Sequence, residues 1–232
     1  TRIKILDLSI GSTELGNVPD YEIIKNWMSR LSEIKKENKT DVMIGRYLEC
    51  RPVYTSESFK YEDNHGPAWR TVHIGLDIFN DENTEVFSPL SGEVIGIANN
   101  AGNKDYGPTL ILKHVEGEIE FFTLYGHLSA DSLSMHVAGD KINAGDVIGY
   151  FGGQQQNGGW PPHLHFQIIL DLFNNTSDYP GVCHYNLRKL YNSICPDPNI
   201  ILGLKIDPGT ITYENDLLTR RKKSVGKNLS VS

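Results

Sequence analysis

The chain has 232 residues, is 39% hydrophobic and carries a formal net charge of −7, from 22 basic against 29 acidic side chains. That is enough apolar material to bury a core, while the acidic balance excludes the non-specific attraction to nucleic acid or anionic lipid that excess cations would drive. No run approaches the ~18 apolar residues of a membrane span, and no charged-then-apolar leader pattern opens the chain; it begins at Thr1 rather than Met, so a preceding region is expected to be missing.

The first 50 residues read as an N-terminal helical segment. From Asp20, placed as a cap, the apolar residues Ile23, Ile24, Trp27, Met28, Leu31 and Ile34 recur at helical spacing, with Lys35 and Lys36 near the end. This predicts one amphipathic helix packed on a neighbour, its charged face solvated.

Residues 51–173 change texture. Short apolar and β-branched runs appear at Thr71–Ile74, Glu93–Ile97, Leu110–Leu112, Glu120–Leu124 and Val147–Phe151, punctuated by Gly, Asn, Asp and Pro. The pattern predicts a mainly β architecture, an antiparallel sheet forming a groove or a partly open barrel. Ala138-Gly139-Asp140 and Ala144-Gly145-Asp146 predict two tight turns. Residues 174–211 form a C-terminal extension, helical around Asn186 to Ile194 and stopped by Pro196. Residues 212–232, basic over much of their length, read as a linker or the opening of another domain. Cys50, Cys183 and Cys195 are odd in number and widely spaced, which predicts buried free thiols rather than a disulfide scaffold.

Within the β-rich region, His73-Ile-Gly-Leu-Asp77, Gly126-His127-Leu128 and Pro162-His163-Leu164-His165-Phe166 concentrate four histidines and a carboxylate. Residues two apart on a strand share a face, so His163 and His165 project into one groove with Leu164 and Phe166 buried behind them. A straight strand would part His73 and Asp77 by ~13 Å, too far for one ion with bonds of ~2 Å, so the chain must bend; Gly75 is placed to supply the bend. A catalytic zinc keeps three protein ligands. His73, Asp77 and His165 fit that count, which leaves His127 and His163 for proton transfer. His65, His114, His136 and His184 lack such company and are assigned no part in the site.

These residues resemble the lysostaphin-type zinc endopeptidases, which cleave peptide cross-bridges or stems of bacterial cell walls. The resemblance runs from about Arg70 to Ile169 and includes Ser88-Pro-Leu-Ser-Gly-Glu-Val94, Tyr106-Gly-Pro-Thr-Leu-Ile-Leu112, Leu124-Tyr-Gly-His-Leu-Ser129 and Pro162-His-Leu-His-Phe166. It implies a β-sheet groove with Zn2+ on its floor, held by His73, Asp77 and His165. His127 and His163 would then act on the attacking water or the oxyanion, in roles that the sequence leaves exchangeable, and a peptide or peptidoglycan-like substrate would be hydrolysed. Gln167 stands where many relatives are acidic, and the segment from Gln154 to Pro162 replaces their usual approach to the paired histidines; Trp160 within it reads either as a groove wall or as packing for the loop.

The stretch from Asn157 to Ile169, Cys195-Pro-Asp-Pro-Asn199 and the tail from Leu217 resemble the peptidase segment of multidomain proteins. There it lies between a kinase-like region and a class III aminotransferase. That resemblance implies neighbouring domains and a cytoplasmic setting; without it, a cell-envelope or secreted one. Two rival readings remain. A lipoyl- or biotin-carrier barrel shares the turn motifs but needs a flanked, exposed lysine that is not found. The other is a regulatory or structural zinc module that has lost hydrolysis within a larger enzyme; relatives of that kind usually lack one or more ligands, and none is missing here.

Overall fold

The computed structural model describes residues 1–10, 12, 14–16, 23–63 and 66–205. In chain order the elements are β1 (Ile3–Leu6), α1 (Ile24–Glu37), β2 (Val42–Gly45), β3 (Lys60–Asp63), β4 (Gly66–His73), β5 (Leu76–Phe79), β6 (Glu85–Phe87), β7 (Gly92–Asn100), β8 (Gly107–Glu116) and β9 (Ile119–Gly126). They continue with β10 (Lys141–Ile142), β11 (Val147–Tyr150), β12 (His163–Ile169), β13 (Val182–His184), α2 (Arg188–Ile194) and α3 (Asn199–Leu202).

Eight strands form the main sheet in the order β1-β2-β5-β12-β9-β8-β7-β10. All its pairings are antiparallel except β1 with β2. The sheet is mainly β architecture that does not close, since β1 and β10 remain as edges. A three-stranded sheet, β13-β4-β3, and a two-stranded one, β11-β6, complete the fold.

Alternation along the central strands explains how the sheet is buried on both faces. On β8, Leu110 and Leu112 join one apolar cluster with Val94, Tyr125, Leu164 and Phe166, while Ile111 between them joins another with Val72, Ile74, Leu124 and Ile169. Successive side chains point to opposite faces, so one strand serves two cores. The two repeated turns form as expected, with Gly139 and Gly145 at φ +98° and +90° and the Asp140 and Asp146 carboxylates each accepting from a backbone N–H three residues earlier, at 2.8 Å.

The N-terminal helix is present, burying Trp27, Leu31 and Ile34 against Leu6, Leu8, Met43, Tyr54, Phe79 and Trp160. Lys35 and Lys36 occupy its last turn, where cations suit the helix dipole. Asp20, the expected cap, lies outside the described residues, and Ile23 and Met28 are exposed. Residues 1–50 also supply β1 and β2, which the periodicity did not mark. Each spans only four residues, too few for its period to separate strand from buried helix.

The C-terminal helix forms as α2, led in by a short 3-10 turn at Tyr185–Leu187 and ended at Cys195, and β13 adds an unexpected strand beside β4. Residues 1–202 gather into one unit and 203–232 into a second, of which 203–205 are described; the tail 212–232 lies outside the described residues. All three cysteines are free, Cys183 and Cys195 buried and Cys50 half-buried. Among the described residues no helix is long and apolar enough to cross a membrane.

Candidate metal centre

Asp77 and His165 face each other on neighbouring strands of the main sheet, paired in the β5–β12 register. His73 arrives from the smaller sheet: it ends β4, where its N–H donates to Glu49 O at 3.0 Å, and the chain bends through Ile74 and Gly75 into β5. The expected bend is there, but its reason differs from the one the spacing suggested. Gly75 has no left-handed φ; a Cβ there would lie 2.6 and 2.7 Å from Cε1 and Nε2 of His165 and 2.9 Å from Phe166 O. Glycine is required because the ligand ring occupies the side-chain space.

The three groups converge. His73 Nε2 lies 2.9 Å from His165 Nδ1 and 3.1 Å from Asp77 Oδ1, and His165 Nδ1 is 3.3 Å from the same oxygen. Asp77 Oδ1 is buried and has no hydrogen-bond donor. A buried carboxylate oxygen left unmatched is costly, and its neighbours are the nitrogens of two histidines whose neutral rings accept as readily as they donate. Tetrahedral bonds of ~2.0–2.1 Å would space ligand atoms by about 3.4 Å, close to the separations seen. One oxygen and two imidazole nitrogens therefore fit a divalent cation.

Outer partners fix the candidate ligands His165 and Asp77. His165 Nε2 meets Gln167 Oε1 at 2.9 Å, and Gln167 Nε2 donates to Pro180 O at 3.2 Å. The amide thus holds the His165 tautomer that turns Nδ1 toward the site. The other oxygen of Asp77 is held by Arg51 Nη1, while Arg51 Nε donates to Glu49 Oε2 at 2.9 Å and Nη2 to Arg46 O at 3.2 Å. Arg51 is 2% exposed. Burial opposes ionisation of Asp77, yet His73 and Arg51 outweigh it and hold the carboxyl well below the usual carboxylate range.

His163 and His127 lie beside this cluster, their ring centroids 4.2 Å apart and His163 Nε2 3.8 Å from Asp77 Oδ1. His163 shares the face of His165 as the alternation predicted, and stacks on Phe79. His127 follows the end of β9 with φ +64°, a left-handed conformation unusual for a residue with a side chain. Each donates through Nδ1 to a main-chain carbonyl, His163 to Pro161 O at 2.7 Å and His127 to Asn157 O at 3.0 Å. That fixes Nε2 as the lone-pair nitrogen of both rings. Burial lowers both pKa values, that of His127 to well below the ordinary range, and burial with the Arg51 charge brings His73 down to about 3. The rings are neutral at pH 7.

A cavity of about 290 Å³ opens above these groups, and Trp27, Tyr54, Phe59 and Trp160 contribute to its walls. Trp160 fills both roles open to it, being 4% exposed in the core beneath α1 and lining the cavity. The histidines assigned no part stay apart: buried His114 is held by Ser91 O and Thr123 Oγ1, His184 accepts from Asn186 N–H, and His65 lies outside the described residues. Arg51 carried no sign of its partner in the sequence, because 26 residues separate it from Asp77 and it lies outside any strand. Its one signal was a lone cation in the apolar stretch from Cys50 to Tyr54.

The family model for peptidase family M23 matches residues 71–177. Over 97 residues, 41% of the chain, the sequence is 34% identical to endolysin 2638A of Staphylococcus phage 2638A, and the match spans 18% of that relative's length. Among solved structures, the catalytic domain of the antimicrobial peptidase lysostaphin from Staphylococcus simulans is 25% identical with a TM-score of 0.35, covering 53% of this chain and 80% of that one. A catalytic-domain mutant of the prophage-encoded M23 protein EnpA from Enterococcus faecalis is 21% identical with a TM-score of 0.38, covering 52% and 84%.

Proposed function

We propose that the chain is a zinc-dependent peptidase acting on peptidoglycan-type peptide bonds. The observation that carries this reading is Asp77 Oδ1, buried without a donor and faced by His73 Nε2 and His165 Nδ1, with two neutral histidines beside it. The M23 match and the phage endolysin relative support the substrate class.

His73, Asp77 and His165 would hold the ion. Bound there, zinc supplies Lewis acidity toward the scissile carbonyl and makes water acidic enough to react near neutral pH. His163 and His127 do the proton work: a neutral Nε2 takes the proton of the attacking water and returns it to the leaving amine. His163 is the better placed as base, being the closer to the Asp77 oxygen, and His127, with its ring 4.2 Å away between centroids, is the second neutral imidazole through which that proton can pass to the leaving amine. Arg51 keeps the second Asp77 oxygen occupied, so that one oxygen faces the site. Glycine-rich and D-amino-acid-containing peptides test the proposal: hydrolysis should disappear with a chelator and return with zinc. A zinc-loaded protein that cleaves neither would instead be a non-hydrolytic metal-binding module, the second reading, which the burial of all five site residues favours.

To this proposal belongs the larger setting, a middle segment between kinase-like and class III aminotransferase domains, with a cytoplasmic location. Its support is sequence resemblance in the stretches around 157–169, 195–199 and 217–232. Translation of the coding sequence on either side tests it, and flanking domains of other kinds would overturn it.

A further inference from the structure

We infer that the peptidase site takes short, released peptides that enter by one end, and not bonds inside an intact polymer; this rests on the peptidase reading above. The cavity is walled by aromatic side chains from outside the matched region. Its floor, His73, Asp77, His127, His163 and His165, is at most 6% exposed at any residue. One side is walled by residues that precede the matched peptidase region: Trp27 from α1, and Val53, Tyr54 and Phe59 from the segment before β3, all buried. These lock against Trp160 of the approach loop, with Trp27 edge-on at 5.8 Å, Tyr54 at 6.2 Å and Phe59 at 6.4 Å between ring centroids. A polymer strand crossing the floor would have to break that aromatic packing.

Size points the same way. About 290 Å³ lies at the lower bound of pockets that hold small molecules, roughly 300 Å³. The lining carries both signs of charge. Lys104, with Nζ 4.2 Å from the Trp160 ring centroid, and Arg70 supply the cations, and Asp105 and Asp178 the anions. The two signs match the ammonium and carboxylate ends of a short free peptide, which a bond deep inside a polymer does not present. The reaction that supplies such a substrate must itself be a hydrolysis that releases peptides from the polymer.

Zinc-loaded protein is given a length series, triglycine to decaglycine, together with intact cell-wall sacculi, and both hydrolysis and binding are followed. Binding is read from Trp27 and Trp160 fluorescence and from co-sedimentation with sacculi, with and without added zinc. The expected result is saturable fluorescence change and cleavage with triglycine, kcat/KM falling at least about tenfold by decaglycine, and no cleavage or co-sedimentation of sacculi. Sacculi or decaglycine handled as well as triglycine would overturn the inference and leave the peptidase reading standing. Binding of triglycine without cleavage of any substrate would uphold the short-ligand site and overturn the peptidase reading. Neither binding nor cleavage of any member of the series or of sacculi would overturn both, and cleavage of sacculi alone would overturn only the inference. A Phe59→Ala protein, opened on the walled side, should gain cleavage of decaglycine relative to triglycine.

Discussion

Arg51 ties the metal centre to a part of the chain that carries no ligand. Its guanidinium neutralises Asp77 where water is excluded, and Glu49 and Arg46 O satisfy its remaining donors. Removing one partner of a buried ion pair strands the other, so Arg51→Met should destabilise the metal-free protein by about 3–5 kcal/mol, measured by denaturant unfolding. The same change should weaken zinc binding about 10–100-fold, because the carboxylate loses the contact that orients it. Chelator competition reads that affinity, and an unchanged value would remove Arg51 from the centre. The two free histidines give the complementary prediction. His163→Ala should retain bound zinc while kcat/KM drops by about 10²–10⁴, and full activity in that variant would reject the assignment. The pair His163 and His165 was legible from spacing alone, since strand alternation is local. Arg51 was not, since only the folding of the loop after β2 against β5 brings it to Asp77.

Among the elements, β12 is the one on which the site depends. It lies between β5 and β9, so His165 is positioned from both sides, by Asp77 and by Gly126. Its alternate residues Leu164 and Phe166 anchor the opposite face in the core. The bend between β4 and β5 must fit against it, and Gly75→Ala would place a methyl group 2.6–2.7 Å from the His165 ring. Overpacking of this kind costs about 1–3 kcal/mol. We expect a lowered thermal midpoint together with weaker zinc binding, and a Gly75→Ala protein equal to wild type in both would show that the ring can move aside. Helix α1 makes a different contribution. Trp27 is a core residue and a cavity wall at once, and Trp27→Ala should cost about 3–5 kcal/mol by calorimetry or denaturant unfolding.

For the molecule as a whole, burying the imidazoles of His73, His127 and His163 couples stability to pH. His73, His127 and His163 have lowered pKa values, chiefly from burial, whereas in the unfolded chain they titrate near ~6.5. Between those values the unfolded chain binds more protons than the folded one, so stability rises with pH. It is complete above about pH 6.5 and is lost as the pH falls, for His73 down toward about 3. The low Asp77 pKa acts in the same sense, below the ordinary carboxylate range. Metal-free protein should therefore unfold at lower denaturant at pH 5.5 than at pH 7.5; equal midpoints would mean that the imidazoles are not held neutral. Zinc binds the folded site preferentially, so adding it at pH 7.5 should raise the thermal midpoint in a concentration-dependent way.

What the amino-acid sequence determined by itself were the features set by short-range periodicity: the helix around Trp27, the strands from Thr71 to Ile169, the turns at Gly139 and Gly145, and the shared face of His163 and His165. Each follows from spacing and backbone preference within a few residues. Tertiary structure alone decided that β1 and β2 extend the main sheet, that Arg51 holds Asp77, that Gly75 is required by a neighbouring ring, and that Trp27, Val53, Tyr54 and Phe59 wall the cavity over the histidines. Those outcomes depend on which surfaces meet across long stretches of chain, and pairing between distant strands leaves no mark in the period of either one.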